Sequence, residues 1–166
     1  MTPQYGEGFA GFGADAAHVN TVLGLRDGPV GSAWATALAA PSSGHPRFVV
    51  VHSPNLPVMP FTLFVNTAAI AGDRHAALTH GAAQAGVAAG VIDALEAGLF
   101  ERSGPLDALA LIAAVWVDPK AGQEELVHAN NRNATFAAIT MGTAGGPSAA
   151  RLLEAGEPSN PWFRRR

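Results

Sequence analysis

The sequence predicts an α/β fold, in the form of a two-layer α+β sandwich. Three features point to it: period-2 alternation at 17–24, an apolar stripe with helical spacing after Pro29, and a long Ala/Gly-rich segment between apolar runs. The predicted order is β-α-β-β-α-β-α, without an internal repeat. At 166 residues the chain is long enough for one domain with a core of its own. The expected layers are a sheet and a set of helices packed against it.

The N-terminal third holds the most informative pattern. The first dozen residues are rich in glycine, and we expect them to be loose. In the strand predicted at 17–24, successive side chains point to opposite faces, so His18 and Asn20 emerge together on one side. A helix follows from Pro29, which suits a first helical turn because it has no N–H, and it ends before Pro41.

The rest of the chain predicts two strands, a long helix, a strand buried on both faces and a last helix. They are expected at 48–52, 61–65, 74–99, 108–117 and 123–141. A stiff connector with three prolines in seven residues separates the first two strands. We assign 1–141 to a single domain and 142–166, where periodicity is lost, to a C-terminal tail.

Glycines interrupt the long helix at Gly81, Gly86 and Gly90. Each costs about 1 kcal/mol relative to alanine in a helix interior. They indicate either the close approach of another backbone or a ligand, or simple tolerance of a loose sequence.

Composition excludes several classes of function. The formal net charge is −3, and the one basic cluster, Arg164 to Arg166, has the character of a solvated tail, so we expect no nucleic-acid partner. The absence of cysteine excludes disulfides, thiolate catalysis and cysteine-type zinc sites. No apolar run approaches the roughly 20 residues of a membrane span, and the N-terminus lacks a signal pattern. We therefore expect a soluble, cytoplasmic protein without a membrane partner.

The balance of apolar and charged residues bears on assembly. Hydrophobic residues make up 48% of the chain and charged residues 14%, which is little charge for the surface of a monomer of this size. Either subunit contacts bury extra surface, giving a homo-oligomer, or the alanine content is a compositional bias.

Most motifs are explained without a function. Gly11-Phe-Gly-Ala-Asp-Ala16 matches the dinucleotide fingerprint formally, but a strand and not a helix is predicted after it. His75 and His80 are five residues apart, roughly 140° around a helix, and cannot share a metal from one face. Three other histidines, His45, His52 and His128, lack ligand spacing. We predict no metal site.

His18 differs from these histidines because it has a polar neighbour on the same strand face. An imidazole titrates near neutral pH and can donate or accept a proton during catalysis. The alternative is a structural histidine whose hydrogen bonds are satisfied within the fold.

Seven short motifs follow one another in order over about residues 12–141. They are Ala17-His18-Val-Asn, Gly28-Pro29-Val-Gly, Gly44-His45-x-x-Phe-Val-Val-Val, Pro54-Asn-Leu-Pro, Gly81-x-Ala-Gln84, Val115-Trp-Val-Asp-Pro, and Asn130-Asn131 with Ala134-Thr135. In this order they resemble the formaldehyde-activating enzyme family. The resemblance implies a fold like domain 2 of ribosomal protein S5, a homopentamer, and a reduced pterin bound near subunit contacts. It also implies a hydro-lyase that condenses formaldehyde with tetrahydromethanopterin to give the methylene adduct and water.

The same resemblance implies the site residues. The family's proton-donating histidine falls on His18. Its pterin-binding acid, leucine, lysine, threonine and glutamine fall on Asn20, Val49, Thr67, Ala69 and Gln84.

This chain departs from the family pattern at several of these positions. A carboxylate has become the amide of Asn20, and Thr67 lacks the charge and reach of a lysine. Two further lysines of the family fall on Met59 and Phe136. We therefore expect an enzyme of altered substrate, aldehyde or acceptor, or of weak activity. The alternative is a non-catalytic oligomeric binder of a pterin or another small molecule.

Overall fold

A computed structural model describes residues 1–40, 42–146 and 148–160. The strands are β1 (Gln4–Ala10), β2 (Ala17–Leu25), β3 (Arg47–Val49), β4 (Val51–Ser53), β5 (Leu56–Pro57), β6 (Phe61–Asn66) and β7 (Leu109–Trp116). The helices are α1 (Pro29–Ala39), α2 (Asp73–Leu78), α3 (Gln84–Glu96), α4 (Glu124–Thr143) and α5 (Ala149–Glu154). A π-helical segment, Thr79–Ala83, joins α2 to α3.

Five of the strands form one sheet in the order β1-β2-β7-β6-β3, and β4 pairs with β5 in a separate ribbon. β6 and β7 run parallel, whereas β2 is antiparallel to both β1 and β7. The C-terminal ends of β6 and β7 therefore lie at the same end of the sheet as the start of β2. The mixed sheet and its helices confirm the predicted α+β class.

The expectation of a loose N-terminus is wrong. Residues 4–10 form β1, which pairs with β2 along its whole length, from Gln4 opposite Leu23 to Ala10 opposite Ala17. Gly6 and Gly8 point toward α4, and a Cβ at either position would collide with the α4 carbonyls of Ala138 or Ala134. Glycine, which weakens the strand signal in the sequence, is needed here because the helix lies directly on the strand.

α3 and α4 cover one face of the sheet and form the core with it. The buried residues of β2 on this face are Ala17, Val19, Thr21 and Leu23, at alternate positions as predicted. Gly86 and Gly90 of α3 face the α4 carbonyls of His128 and Arg132. Another backbone does approach these two glycines, whereas a Cβ added at Gly81 would meet none of the described atoms within 4 Å.

α1 covers part of the opposite face, which adds a helix outside the predicted two layers. Val30 of α1 packs against Gly24 of β2, and Arg47 donates to the carbonyls of Ala37 and Ala40 at the C-terminal end of α1. The helix does not reach the end of the sheet where β2 begins. β7 is therefore not buried on both faces as predicted, since Ile112, for example, is half-exposed.

The strand expected at 48–52 and the proline-rich connector after it differ from the prediction. The strand expected at 48–52 is divided into β3 and β4 at Val50, which donates to the Thr62 carbonyl of β6 and accepts from the Val58 N–H after β5. The proline-rich connector contains β5. The segment expected to be a tail contains the end of α4 and the short helix α5, in which Ser148 accepts a hydrogen bond from the Arg151 N–H. The predicted arginine cluster at 164–166 lies outside the described residues.

Candidate functional site

The part of the sheet left open by α1 carries a polar and aromatic group around His18. His18 of β2 lies between Phe9 of β1 and Trp116 of β7 in the strand register. Because these residues are directly opposite one another, their side chains share a face. The Phe9 and His18 rings stack with centroids 4.0 Å apart and planes 4° apart. This packing fixes the plane of the imidazole.

His18 is held by polar partners through one ring nitrogen. Its Nε2 lies 3.2 Å from Oε1 of Glu7 and 3.4 Å from Nδ2 of Asn20. The His18 side chain is 24% exposed and that of Glu7 43% exposed, so a small molecule in solvent can reach the group. His18 and Asn20 do share a strand face, as the alternation predicts. The arrangement joins a titratable ring to a carboxylate and an amide.

Sequence reasoning missed Glu7. It lies on β1 directly opposite Asn20, which brings its carboxylate diagonally to His18. A signal exists in the alternation of Tyr5, Glu7 and Phe9 with Gly6 and Gly8, but the glycines make the segment look loose. The pairing of β1 with β2 is what brings Glu7 into the site.

Thr67 and Ala69 follow β6, at the end of the sheet where His18 lies. Thr67 is exposed, and its backbone N–H and its hydroxyl both donate to the Val115 carbonyl, at 2.9 and 3.0 Å. In the strand register Thr67 falls beside Trp116, and Trp116 is opposite His18. Thr67 is therefore two strands away from His18, or about 10 Å at the usual strand spacing. Ala69 lies beyond it, near the loop glycine Gly44.

Gln84 lies away from the His18 group, where β4 follows the β3 edge of the sheet. It is the first residue of α3, immediately after the π-helical segment, and its Oε1 accepts a 2.7 Å hydrogen bond from the Val51 N–H. π-Helical turns often lie at functional sites. The amide nitrogen of Gln84 makes no hydrogen bond within the described part of the chain. It is a donor available to a ligand.

Val49 lines a cavity of about 500 Å³ beneath α1. The wall also includes Trp34 and Phe61, and the Arg26 guanidinium lies 4.9 Å from the Phe61 ring centroid. The buried Nε1–H of Trp34 has no acceptor among the described residues. The cavity offers flat apolar walls and a cation, a combination that suits a planar ring with polar edges.

His18 and the cavity beside Val49 are far apart within one chain. Val49 is opposite Leu63, Leu63 is opposite Ile112, and Ile112 is opposite Val22. Val49 is therefore three strands and four residues away from His18, about 20 Å at standard strand dimensions. The structure brings His18 and Asn20 together at one end, with Thr67 nearby, but it does not bring Val49 or Gln84 to them.

The other histidines have structural partners or lie elsewhere. His75 is buried, with Nδ1 accepting from the Ala71 N–H and Nε2 bonded to the Val117 carbonyl. His80 stacks on Phe48. Within the described residues, no cluster of three or more metal-ligating side chains lies close enough to hold an ion. Among the helices described, none is both long and apolar enough to cross a membrane.

Comparison with known proteins identifies the family. The family model described as "Formaldehyde-activating enzyme (Fae)" matches residues 5–162. The chain belongs to the formaldehyde-activating enzyme family. The resemblance found in the sequence motifs over about residues 12–141 is thereby confirmed, and the match extends beyond it to residue 5 of β1 and to residue 162.

Two kinds of known protein are similar in sequence to this family member. A "5,6,7,8-tetrahydromethanopterin hydro-lyase" of Methanosarcina barkeri is 34% identical over 158 residues, 95% of this chain and 88% of that protein. A "Bifunctional enzyme Fae/Hps" of Methanosarcina acetivorans is 35% identical over 151 residues, and one of Archaeoglobus fulgidus is 34% identical over 153 residues. The matches cover 91% and 92% of this chain, but 38% and 39% of the bifunctional proteins.

Proposed function

We propose that this protein condenses formaldehyde with a reduced pterin, tetrahydromethanopterin, to give the methylene adduct and water, as a hydro-lyase of its family. The observation that carries the proposal is the partly exposed imidazole of His18, fixed between the Phe9 ring, the Glu7 carboxylate and the Asn20 amide on the part of the sheet that α1 does not cover. A positioned imidazole of this kind can transfer protons near neutral pH. The name of the hydro-lyase relative supports the choice of substrates.

His18 is proposed as the general acid. An amine of the pterin adds to the aldehyde carbon, and the hydroxyl group formed must then leave as water. Protonation of that oxygen by an imidazolium makes it a better leaving group. The second pterin nitrogen then closes the ring on the same carbon.

Binding of the pterin ring is proposed to use the cavity beneath α1. The cavity beside Val49 has aromatic walls of Trp34 and Phe61, and the planar pterin ring has the shape and polar edges to occupy it. Gln84 is not among the described residues of the cavity wall, and its unused amide nitrogen is proposed as a separate donor to the pterin. Asn20, Thr67 and Ala69 would contact the substrates near His18.

We further propose that the active site forms between two copies of the chain. His18 and Val49 are too far apart to touch one small substrate in a single chain, so a shared site requires His18 of one copy and the cavity of the next. A closed ring of identical contacts satisfies this requirement. A homopentamer of S5-domain-2-like subunits in the cytoplasm is the assembly and location that the family resemblance implies.

The decisive experiment compares the wild type with His18→Ala in the condensation of formaldehyde with tetrahydromethanopterin, followed by absorbance. We expect the wild type to exceed the spontaneous rate and the variant to lose roughly 100- to 10,000-fold of the catalysed rate. His128→Ala is the matched control, because His128 lies on α4 in the opposite layer, and it should keep the rate. Thermal unfolding should show all three proteins folded.

Two results would contradict the proposal. Full activity in His18→Ala would remove the general acid. A wild-type rate equal to the spontaneous rate would remove the condensation itself, and tetrahydrofolate and other aldehydes should then be tested in its place. Saturable pterin binding without any acceleration would identify a non-catalytic binder, which the substitution of lysine positions by Thr67, Met59 and Phe136 favours as the second candidate.

A further inference from the structure

Two side chains, one a hydrogen-bond acceptor and the other a donor, contact the same nitrogen of His18. Glu7 and Asn20 are cross-strand partners, and both lie within 3.4 Å of His18 Nε2. A carboxylate accepts hydrogen bonds, whereas the amide nitrogen of asparagine donates them. Nε2 can satisfy Glu7 when it carries a proton, and Asn20 when it does not.

We propose that Glu7 is a positioning residue that holds His18 as the imidazolium, while Asn20 receives the neutral imidazole after the proton has left. The inference rests on the proposed function, because it assigns partners to the two protonation states that a general acid must adopt. Glu7 thus provides the carboxylate that this chain lacks at position 20.

The proton balance of the reaction fits this division. When the C–O bond of the hydroxymethyl adduct breaks, its electron pair leaves with the oxygen, which takes the Nε2 proton and departs as water. The carbon remains double-bonded to nitrogen. The second pterin nitrogen then bonds to that carbon and releases a proton, which restores the imidazolium through solvent. One water is formed and no oxidant or reductant is needed.

The residues around His18 add further contacts to its ring. The stacked Phe9 presents the negative face of its ring to the imidazolium, which adds an attractive contact. On the other flanking strand, Trp116 does not titrate, and Asn20 on β2 is neutral. Asp15, the acid nearest to His18 in sequence, is turned toward the start of α4 and bonds there to Gly122 and Gln123. Among the described residues of β1 and β7, Glu7 is the acid paired with His18.

Glu7→Gln keeps the size of the side chain and removes its charge, so it separates the electrostatic role from packing. We expect kcat to fall at least about tenfold at neutral pH with little change in KM. The loss of rate with rising pH should begin at a lower pH than in the wild type, since the imidazolium has lost its counter-charge. A change in packing alone would not move the pH profile.

Asn20→Asp supplies the opposite test. A second carboxylate beside Nε2 stabilises the imidazolium further, so the loss of rate with rising pH should begin at a higher pH than in the wild type. Glu124→Gln is the control for the substitution of a carboxylate by an amide. Glu124 pairs with Arg74 on an exposed surface, and its removal should leave the profile unchanged.

An NMR titration of the His18 ring in the same proteins makes the test independent of activity. We expect Glu7→Gln to lose the His18 proton at lower pH than the wild type, and Asn20→Asp at higher pH. Identical titrations in the wild type and Glu7→Gln, or shifts of both variants in the same direction, would overturn the inference. A wild type without activity but with the expected titrations would reject the proposed function and leave the pairing intact.

Discussion

Asp15 joins the loop before β2 to the start of α4. Its Oδ1 accepts hydrogen bonds from the N–H groups of Gly122 and Gln123, at 2.8 and 3.1 Å, and Oδ2 accepts one from the Gln123 side chain. These donors, most of all the Gly122 N–H, hold the pKa of the Asp15 carboxyl below its ordinary value. The negative charge lies at the N-terminal end of α4, where it interacts favourably with the helix dipole. One side chain thereby fixes His18's strand against the helix that covers it.

Removal of this carboxylate should destabilise the protein in a pH-dependent way. We expect Asp15→Ala to lower the free energy of unfolding by about 1 kcal/mol at neutral pH, as for the loss of a helix cap. A depressed pKa contributes stability above the ordinary value of 3.8, and the contribution is lost as the pH falls below it. The two proteins should therefore converge in strongly acidic solution.

Urea unfolding at a fixed protein concentration measures this difference across the pH range. Asp27→Ala is the control, because Asp27 is exposed in the turn between β2 and α1. A constant difference between the wild type and Asp15→Ala at all pH values would show that packing, and not the charge, explains the loss.

At the scale of elements, the sequence predicts those whose own pattern is strong. β2 and α4 begin and end within about two residues of the prediction, since alternation and helical spacing are local properties. β1 escapes prediction because Gly6 and Gly8 interrupt it, and the reason for them, the carbonyls of α4, is a tertiary contact. Glu7 is missed because the strand that carries it is missed. The polarity of a residue is visible in a sequence, but its partner across a sheet depends on the register.

The same close packing predicts which helix glycines can be replaced. A Cβ on Gly90 would lie 2.5 Å from the Arg132 carbonyl oxygen and 2.8 Å from the Thr135 Cβ, so α3 and α4 would have to separate. We expect Gly90→Ala to cost roughly 1 to 3 kcal/mol of stability, as other overpacked cores do. It should also strain the Arg132–Asp93 pair, whose two hydrogen bonds of 2.6 and 2.7 Å join the same helices.

Gly81→Ala is the matched variant. None of the described heavy atoms lies within 4 Å of the added Cβ, and alanine favours helix, so its stability should equal or exceed that of the wild type. Thermal and urea unfolding of the two variants decide the matter. If both were equally destabilised, the cost would come from the helix backbone and not from the contact between α3 and α4.

At the scale of the whole molecule, the arrangement of residues argues for a site shared between copies. His18 lies on β2, near one edge of the sheet, whereas Gln84 is tied to β4 beyond the other edge. The family resemblance names both residues from the sequence, but their separation within a chain is not predictable from it. Separation is a property of the sheet order, which places β7, β6 and β3 between them.

Mixing two inactive variants tests this shared site. His18→Ala and Gln84→Ala should each be inactive or nearly so, if each copy gives one residue to every site. Unfolding and refolding them together in equal amounts distributes the subunits at random. A site then has both native residues when one copy keeps His18 and its neighbour keeps Gln84, so about a quarter of the wild-type activity should return, whatever the number of subunits in a closed ring.

Activity that stays at the level of the separate variants would contradict the shared site and require both residues in one chain. Each variant refolded alone is the control, since activity must come from mixing and not from refolding. Size-exclusion chromatography with light scattering, run on the same samples, gives the number of subunits. A monomer in that measurement would leave Gln84 as a structural residue that holds β4, and His18 would have to act without the cavity beside Val49.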